Sequence, residues 1–226
     1  MPTYNLNTTF TAEDLQRFLA SGTNVVIAKP SEGSQPNVAW LVFRPLINNN
    51  VKWNEEYGIY ASNTDIQNGA QITQMSTTGI PAVIGKTYGF TPSGSFGPPT
   101  NPGTMDAYTT VNNYNNLPKG YLTMGLTQDA NVNGNDLTGN VTSAAVVLYN
   151  STAVMTPYTT VYIWTQSQVV SNTVVTNITS PMTKVKFGGG VSTINLAYDP
   201  SSGTFIPAPN AKMLEGVEIK HLLPSL

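Results

Sequence analysis

Apolar residues in this chain come in short runs, and most of those runs alternate with polar residues at the two-residue period of a strand. The stretches 24–29, 38–44 and 51–61 are apolar or alternating, bounded by Pro30-Ser-Glu-Gly, Pro45 and Asn48-Asn-Asn. The same reasoning predicts strands over 71–76, 83–90, 121–127, 143–149, 161–170, 173–179, 183–187, 193–198 and 204–206. One segment departs from this period. Thr11 followed by Ala-Glu-Asp offers an N-cap with acids in the first turn, Leu15, Phe18 and Leu19 form an apolar stripe, and Ser21-Gly22 ends it. A helix over 11–20 followed by many short strands predicts an all-β fold, an antiparallel β-sandwich with one short N-terminal helix.

Strand patterning looks alike on both sides of the Pro/Gly-rich stretch 91–103, so the chain reads as one domain over 1–226 with a long surface loop there. The stretch 128–140, rich in Asn, Asp and Gly, reads as a second loop. Pro207-Ala-Pro-Asn is a stiff spacer ahead of a C-terminal strand or arm over 211–226, in which 216–223 alternates. Its dense charge suits an edge strand protected against aggregation, or an arm that pairs with a neighbour.

Composition narrows the chemistry. Only 10% of the 226 residues are charged, against about a quarter in an average globular protein. In their place stand 30 Thr and 24 Asn, so the surface is built from uncharged amides and hydroxyls. Such a surface hydrogen-bonds to neutral partners and offers few acids or bases. Ten scattered cations and a net charge of −2 argue against nucleic acid. The absence of cysteine excludes thiol catalysis, thiolate zinc sites and disulfides. With no basic and apolar leader at the N-terminus and no apolar run near the ~20 residues of a membrane span, a cytosolic protein without a signal peptide is expected, able to act outside the cell after release.

Catalytic candidates are thin. The single histidine, His221, lies in the tail without a serine or carboxylate beside it in sequence. Glu55 and Glu56 are adjacent in a predicted strand, so they point to opposite faces and cannot flank one bond. Glu55 shares its face with Trp53 and Tyr57, and Glu56 reads as a solvated or Lys-paired strand charge. No phosphate loop or nucleophile elbow occurs. The expectation is a protein that is not an enzyme and carries no cofactor.

Two constellations suggest binding. Asp129, Asn131, Asn133 and Gly134 match the first half of a calcium loop, with Asp136 as a further oxygen donor. The twelfth position is Asn140 rather than a bidentate Glu, so calcium would bind weakly at best. The segment 106–121 interleaves Tyr108, Tyr114 and Tyr121 with Asn112, Asn113, Asn115 and Asn116. Aromatic faces and amides together suit a sugar, and tyrosines also suit the boundary of a membrane or a choline headgroup. The candidate ligand residues are therefore Tyr108, Asn113, Tyr114, Asn115, Asn116 and Tyr121, whereas Trp40, Trp53 and Trp164 lie in predicted strands and read as core.

The helix 11–20, the strand 24–29 and the run from Ala144 to Trp164 (Ala-Ala-Val-Val-Leu-Tyr, then Thr-Pro-Tyr-Thr-Thr-Val-Tyr-Ile-Trp) follow one another in a layout that resembles actinoporin-like cytolysins and fungal fruit-body lectins. That resemblance implies a cysteine-free β-sandwich devoted to recognition, and it transfers no functional residue. The reading is a non-catalytic protein that binds a neutral glycan or a lipid headgroup, as a defence lectin or a membrane-active toxin does, with reversible membrane-surface contact and homo-oligomers as open options. The alternative is a self-assembling structural protein such as a capsid, tail, filament or inclusion-crystal subunit.

Overall fold

In the computed structural model, which describes residues 1–30, 35–116, 119–209 and 219–222, two sheets face each other across the main core. The larger runs β18 (Thr204–Pro207), β17 (Thr193–Asp199), β1 (Thr3–Thr9), β5 (Asn48–Asn54), β10 (Tyr121–Val132), β6 (Gly58–Ser62) and β7 (Ser76–Thr77), with β11 (Asn135–Val141) and β12 (Ala145–Leu148) also paired to β10. The smaller is β19 (Ile219–Leu222), β16 (Met182–Lys186), β14 (Thr160–Ser167), β2 (Thr23–Ala28) and β4 (Leu41–Phe43). A third sheet orders β13 (Thr152–Met155), β9 (Tyr108–Asn112) and β8 (Thr87–Phe90), and β15 (Thr173–Val174) pairs with β3 (Val38–Ala39). All these pairings are antiparallel except β1 with β17 and β8 with β9. The all-β sandwich stands.

Strict alternation builds the core. Along β5, Asn49, Val51 and Trp53 point inward while the residues between them face solvent, and β1 does the same with Tyr4, Leu6 and Thr8. These meet Val25 and Ile27 of β2, Leu41 of β4, Val161 and Ile163 of β14 and Val185 of β16 in one cluster. Trp40 and Trp164 are fully buried and Trp53 is 2% exposed, so all three tryptophans are core, as their strands predict. The helix α1 (Ala12–Ser21) carries a capping box between Thr11 and Asp14 and ends on Gly22 in the left-handed conformation. Its Leu15 and Phe18 pack on this core, Phe18 against Phe10 and Tyr198.

Turned outward, β1, β5 and β17 explain the unusual composition. Asn50 Nδ2 donates to Asn7 Oδ1 at 2.7 Å and Asn7 Nδ2 donates to Asn195 Oδ1 at 2.8 Å, an amide ladder across three strands. Thr3 Oγ1 adds a hydrogen bond to Asn54 Oδ1 at 2.7 Å. Uncharged groups here satisfy one another as well as water.

Several elements differ from expectation. The run 51–61 is two strands, β5 and β6, broken at Glu55-Glu56-Tyr57. The stretch 128–140 is a hairpin rather than a loop, because Asn133 and Gly134 both take positive φ in the two-residue turn between β10 and β11. Strands β1, β9 and β13 form where none was predicted. The segment 91–103 holds no named strand and touches β8 through isolated bridges at Phe96 and Thr100. Within the expected C-terminal strand, Ile219–Leu222 pairs with β16 of its own chain, Thr183 opposite His221; positions 211–218 and 223–226 lie outside the described residues.

Candidate functional site

The expected tyrosine platform does not assemble. Tyr108 is 2% exposed and packs with Tyr57, Ile59, Leu126 and Met155 inside the molecule. Its position in β9, an inner strand of its sheet, turns the ring to the core, so it is withdrawn from the ligand set. The half-buried ring of Tyr114 belongs to a different cluster, edge-on to Phe90 with centroids 5.8 Å apart. Tyr121 gives its hydroxyl to Asp65 Oδ1 at 2.9 Å, beside the Lys119–Asp65 ion pair. Those hydrogen bonds from Lys119 and Tyr121 hold the Asp65 carboxyl below its usual range. The Asn113 backbone amide donates to the Phe90 carbonyl, and of the six only Asn115 and Asn116 are exposed. The segment is held to the sandwich by its tyrosines and does not present three rings on one face.

The calcium-loop residues go elsewhere too. Asn131 Nδ2 donates to Asp136 Oδ1 at 2.7 Å, and Asn131 Oδ1 accepts from the Gly134 amide at 2.9 Å. Asp129 Oδ1 accepts from the Gly139 amide at 2.7 Å. Asn133 faces away, accepting from the Asn50 amide at 2.8 Å and donating to Asn49 Oδ1 at 3.1 Å. Four side chains that would have converged on a cation in a loop are instead spread over a hairpin, where Asp129 and Asn131 satisfy its backbone, Asp136 accepts from Asn131 and Asn133 turns to β5. No cluster of three or more His, Cys, Asp or Glu suited to a metal occurs among the described residues.

What the hairpin does create is a cleft of about 650 Å³ against β5. Lys52, Trp53 and Asn54 form one wall with Glu56, and Asp129, Asn131, Asp136, Leu137 and Thr138 form the other. The walls are joined by pairing of Asn131 with Lys52 across β10 and β5, and of Asn131 with Asp136 across β10 and β11. Three carboxylates and one ammonium line it, and none of the four is ion-paired among the described residues. The carboxylates of Asp129 and Asp136 each give one oxygen to the hairpin, and that of Glu56 accepts no hydrogen bond among the described residues. Ile80 and Leu137 add apolar contact. The cleft thus offers a concave set of acceptors and donors to a molecule rich in hydroxyls.

Behind this wall lies a buried charge cluster. Lys29, at the end of β2, has a side chain 3% exposed and donates to Glu55 Oε1 at 2.9 Å and to the Tyr57 hydroxyl at 2.6 Å. Tyr57 in turn donates to Glu55 Oε2 at 2.8 Å, and the Trp53 indole donates to Oε1 at 2.9 Å. The rings of Trp40, Trp53 and Tyr57 surround the ammonium at 5.2, 5.5 and 4.9 Å. Burial pulls the Lys29 ammonium below its ordinary range against the opposing pull of Glu55, and burial together with Glu55 pushes the Tyr57 hydroxyl well above its own. The cluster holds the Trp53 indole in the core.

Strand parity indicated that Glu55 turns toward Trp53 and Tyr57, and it does. Sequence reasoning missed Lys29 and the role of Lys52 and Glu56 as cleft walls. The signal for the first was a lysine ending the apolar run Val25-Val-Ile-Ala28. No protein-family model, curated protein or solved structure matches the chain.

Proposed function

We propose that the protein is a non-catalytic recognition protein that binds a neutral glycan in the cleft between β5 and the β10–β11 hairpin. The observation that carries this reading is the concave set of Lys52, Asn54, Asp129, Asn131 and Asp136 on paired strands, with Glu56 in the break that follows β5. Sugar hydroxyls donate to carboxylates and amide oxygens and accept from amide and ammonium groups, so such a wall matches them without requiring ligand charge. Hydrogen bonds hold the side chains of Asn54, Asp129, Asn131 and Asp136 before the ligand arrives, which limits the ordering cost of binding. Recognition rather than hydrolysis fits the placement of the adjacent glutamates, with Glu55 locked in the core and Glu56 in the cleft. Screening an array of neutral oligosaccharides, followed by calorimetry on the best binder with wild type and Glu56→Ala, tests the reading.

A second reading, self-association, draws on one observation. Val146 and Leu148 of β12 are 53% and 57% exposed, beside exposed Tyr149 at the turn into β13 and exposed Val154 on β13. Apolar side chains grouped in this way suit a second copy of the chain. Light scattering after size exclusion separates the two: a monomer that binds glycan favours the cleft, and a defined oligomer lost in Leu148→Ser favours association.

A further inference from the structure

A separate recess of about 210 Å³ enters the molecule between β10, the start of β12 and the chain that follows β13. Lys29 and Tyr57 contribute to its wall, together with Met124, Leu126, Met155 and Pro157. Ser143, Thr156 and Tyr158 supply hydroxyls, and half-exposed Val154 stands among the residues that surround it. Gly125 lets the chain at Ser143 lie close against β10, since a Cβ there would lie 1.9 Å from the Ser143 carbonyl oxygen.

We propose that this recess is a binding site, distinct from the cleft, for a neutral and largely apolar molecule of about one aromatic ring that carries a single oxygen acceptor. The size follows from volume. An apolar cavity of about 150 Å³ accommodates benzene, so 210 Å³ holds a ring with a small substituent. The acceptor follows from hydrogen-bond arithmetic. An ammonium has three N–H groups, of which Lys29 gives one to Glu55 and one to Tyr57. The third has no oxygen partner among the described residues, and a carbonyl oxygen in the recess completes the set. Neutrality follows from charge balance: Glu55 already compensates Lys29, so an added anion would leave a net buried charge and carry the desolvation cost of one. The apolar wall of Met124, Leu126, Met155 and Pro157 takes the rest of the ligand.

Three probes of one shape test this: acetophenone, ethylbenzene, which lacks the oxygen, and benzoate, which carries a charge. Calorimetry and ligand-observed NMR on the full chain are expected to give saturable binding of acetophenone at least about tenfold tighter than either of the others, the ratio of one hydrogen bond to a charged donor. Val154→Trp and Ala145→Phe, each checked for fold by circular dichroism, are expected to fill the recess and abolish that binding while glycan binding in the cleft persists. Equal affinity for ethylbenzene, tighter binding of benzoate, or no saturable binding of acetophenone overturns the proposal. So does acetophenone binding that survives both filling variants.

Discussion

Glu55→Gln isolates the energetic weight of the buried cluster. The substitution keeps the shape of the side chain but removes the counter-charge from an ammonium 3% exposed, and leaves at most one acceptor oxygen where Lys29, Trp53 and Tyr57 now share two. Breaking a buried pair by removing one partner costs about 3–5 kcal/mol, a large share of the roughly 5–15 kcal/mol that holds an ordinary domain folded. Lys29→Met, which strands the Glu55 carboxylate with two donors and no cation, is expected to cost a similar amount. The double variant leaves no charge in this cluster, so its loss is expected to be smaller than the sum of the singles by at least about 3 kcal/mol. Urea denaturation followed by tryptophan fluorescence is a direct assay, because Trp40 and Trp53 both border the ammonium. pH adds a second readout. With the raising influence of Glu55 gone, the Lys29 ammonium is lowered further, while the unfolded chain keeps its proton to about pH 10.4. Between those values the unfolded state binds more protons, so the stability of Glu55→Gln rises with pH, and more steeply than that of wild type. Single variants that cost under about 1 kcal/mol, or an additive double, would refute the reasoning.

Alkaline stability follows from the buried phenols. Burial raises Tyr57 well above its ordinary value and raises Tyr60 likewise, and Tyr108 is pushed up to about 12. Above pH 10 the unfolded chain releases these protons and the folded chain keeps them, so stability falls as pH rises, by about 4 kcal/mol per pH unit for the three together; denaturant titrations between pH 9 and about 12 check this. Tyr114→Ala is expected to lower stability by about 1–3 kcal/mol through lost packing on Phe90 and to leave glycan affinity unchanged, as thermal melts and calorimetry would report. Truncation after Asn210 removes β19 from β16 and bares its edge, so the shortened chain is expected to aggregate or unfold; a soluble, cooperatively melting monomer would contradict this.

Particular residues show what could be read in advance. Alternation along 48–54 and 3–9 dictates which side chains meet, and the capping residues Thr11 and Asp14 with Gly22 fix the helix ends locally, so these features follow from nearest neighbours. The Asn133-Gly134 turn was equally local, but oxygen ligands at alternate positions fit a hairpin as readily as a calcium loop, and the deciding contact, Asn133 to Asn49 and Asn50, comes from β5 more than eighty residues earlier. Tyr108 and Tyr114 differ in fate because they enter separate clusters formed by distant strands, which spacing within 106–121 does not reveal. The same holds for Lys29, whose partners Glu55 and Tyr57 lie 26 and 28 positions away.

The cleft decides the account. Glu56→Ala removes a carboxylate that accepts no hydrogen bond among the described residues, so it separates binding from folding. Calorimetric titration of wild type and Glu56→Ala with the tightest neutral oligosaccharide from an array is expected to show saturable binding by wild type. The variant is expected to bind roughly tenfold more weakly, with an unchanged denaturation midpoint. A wild-type protein that binds no neutral glycan, or one whose affinity is unaltered by Glu56→Ala and by Asp136→Ala, would contradict the proposed function.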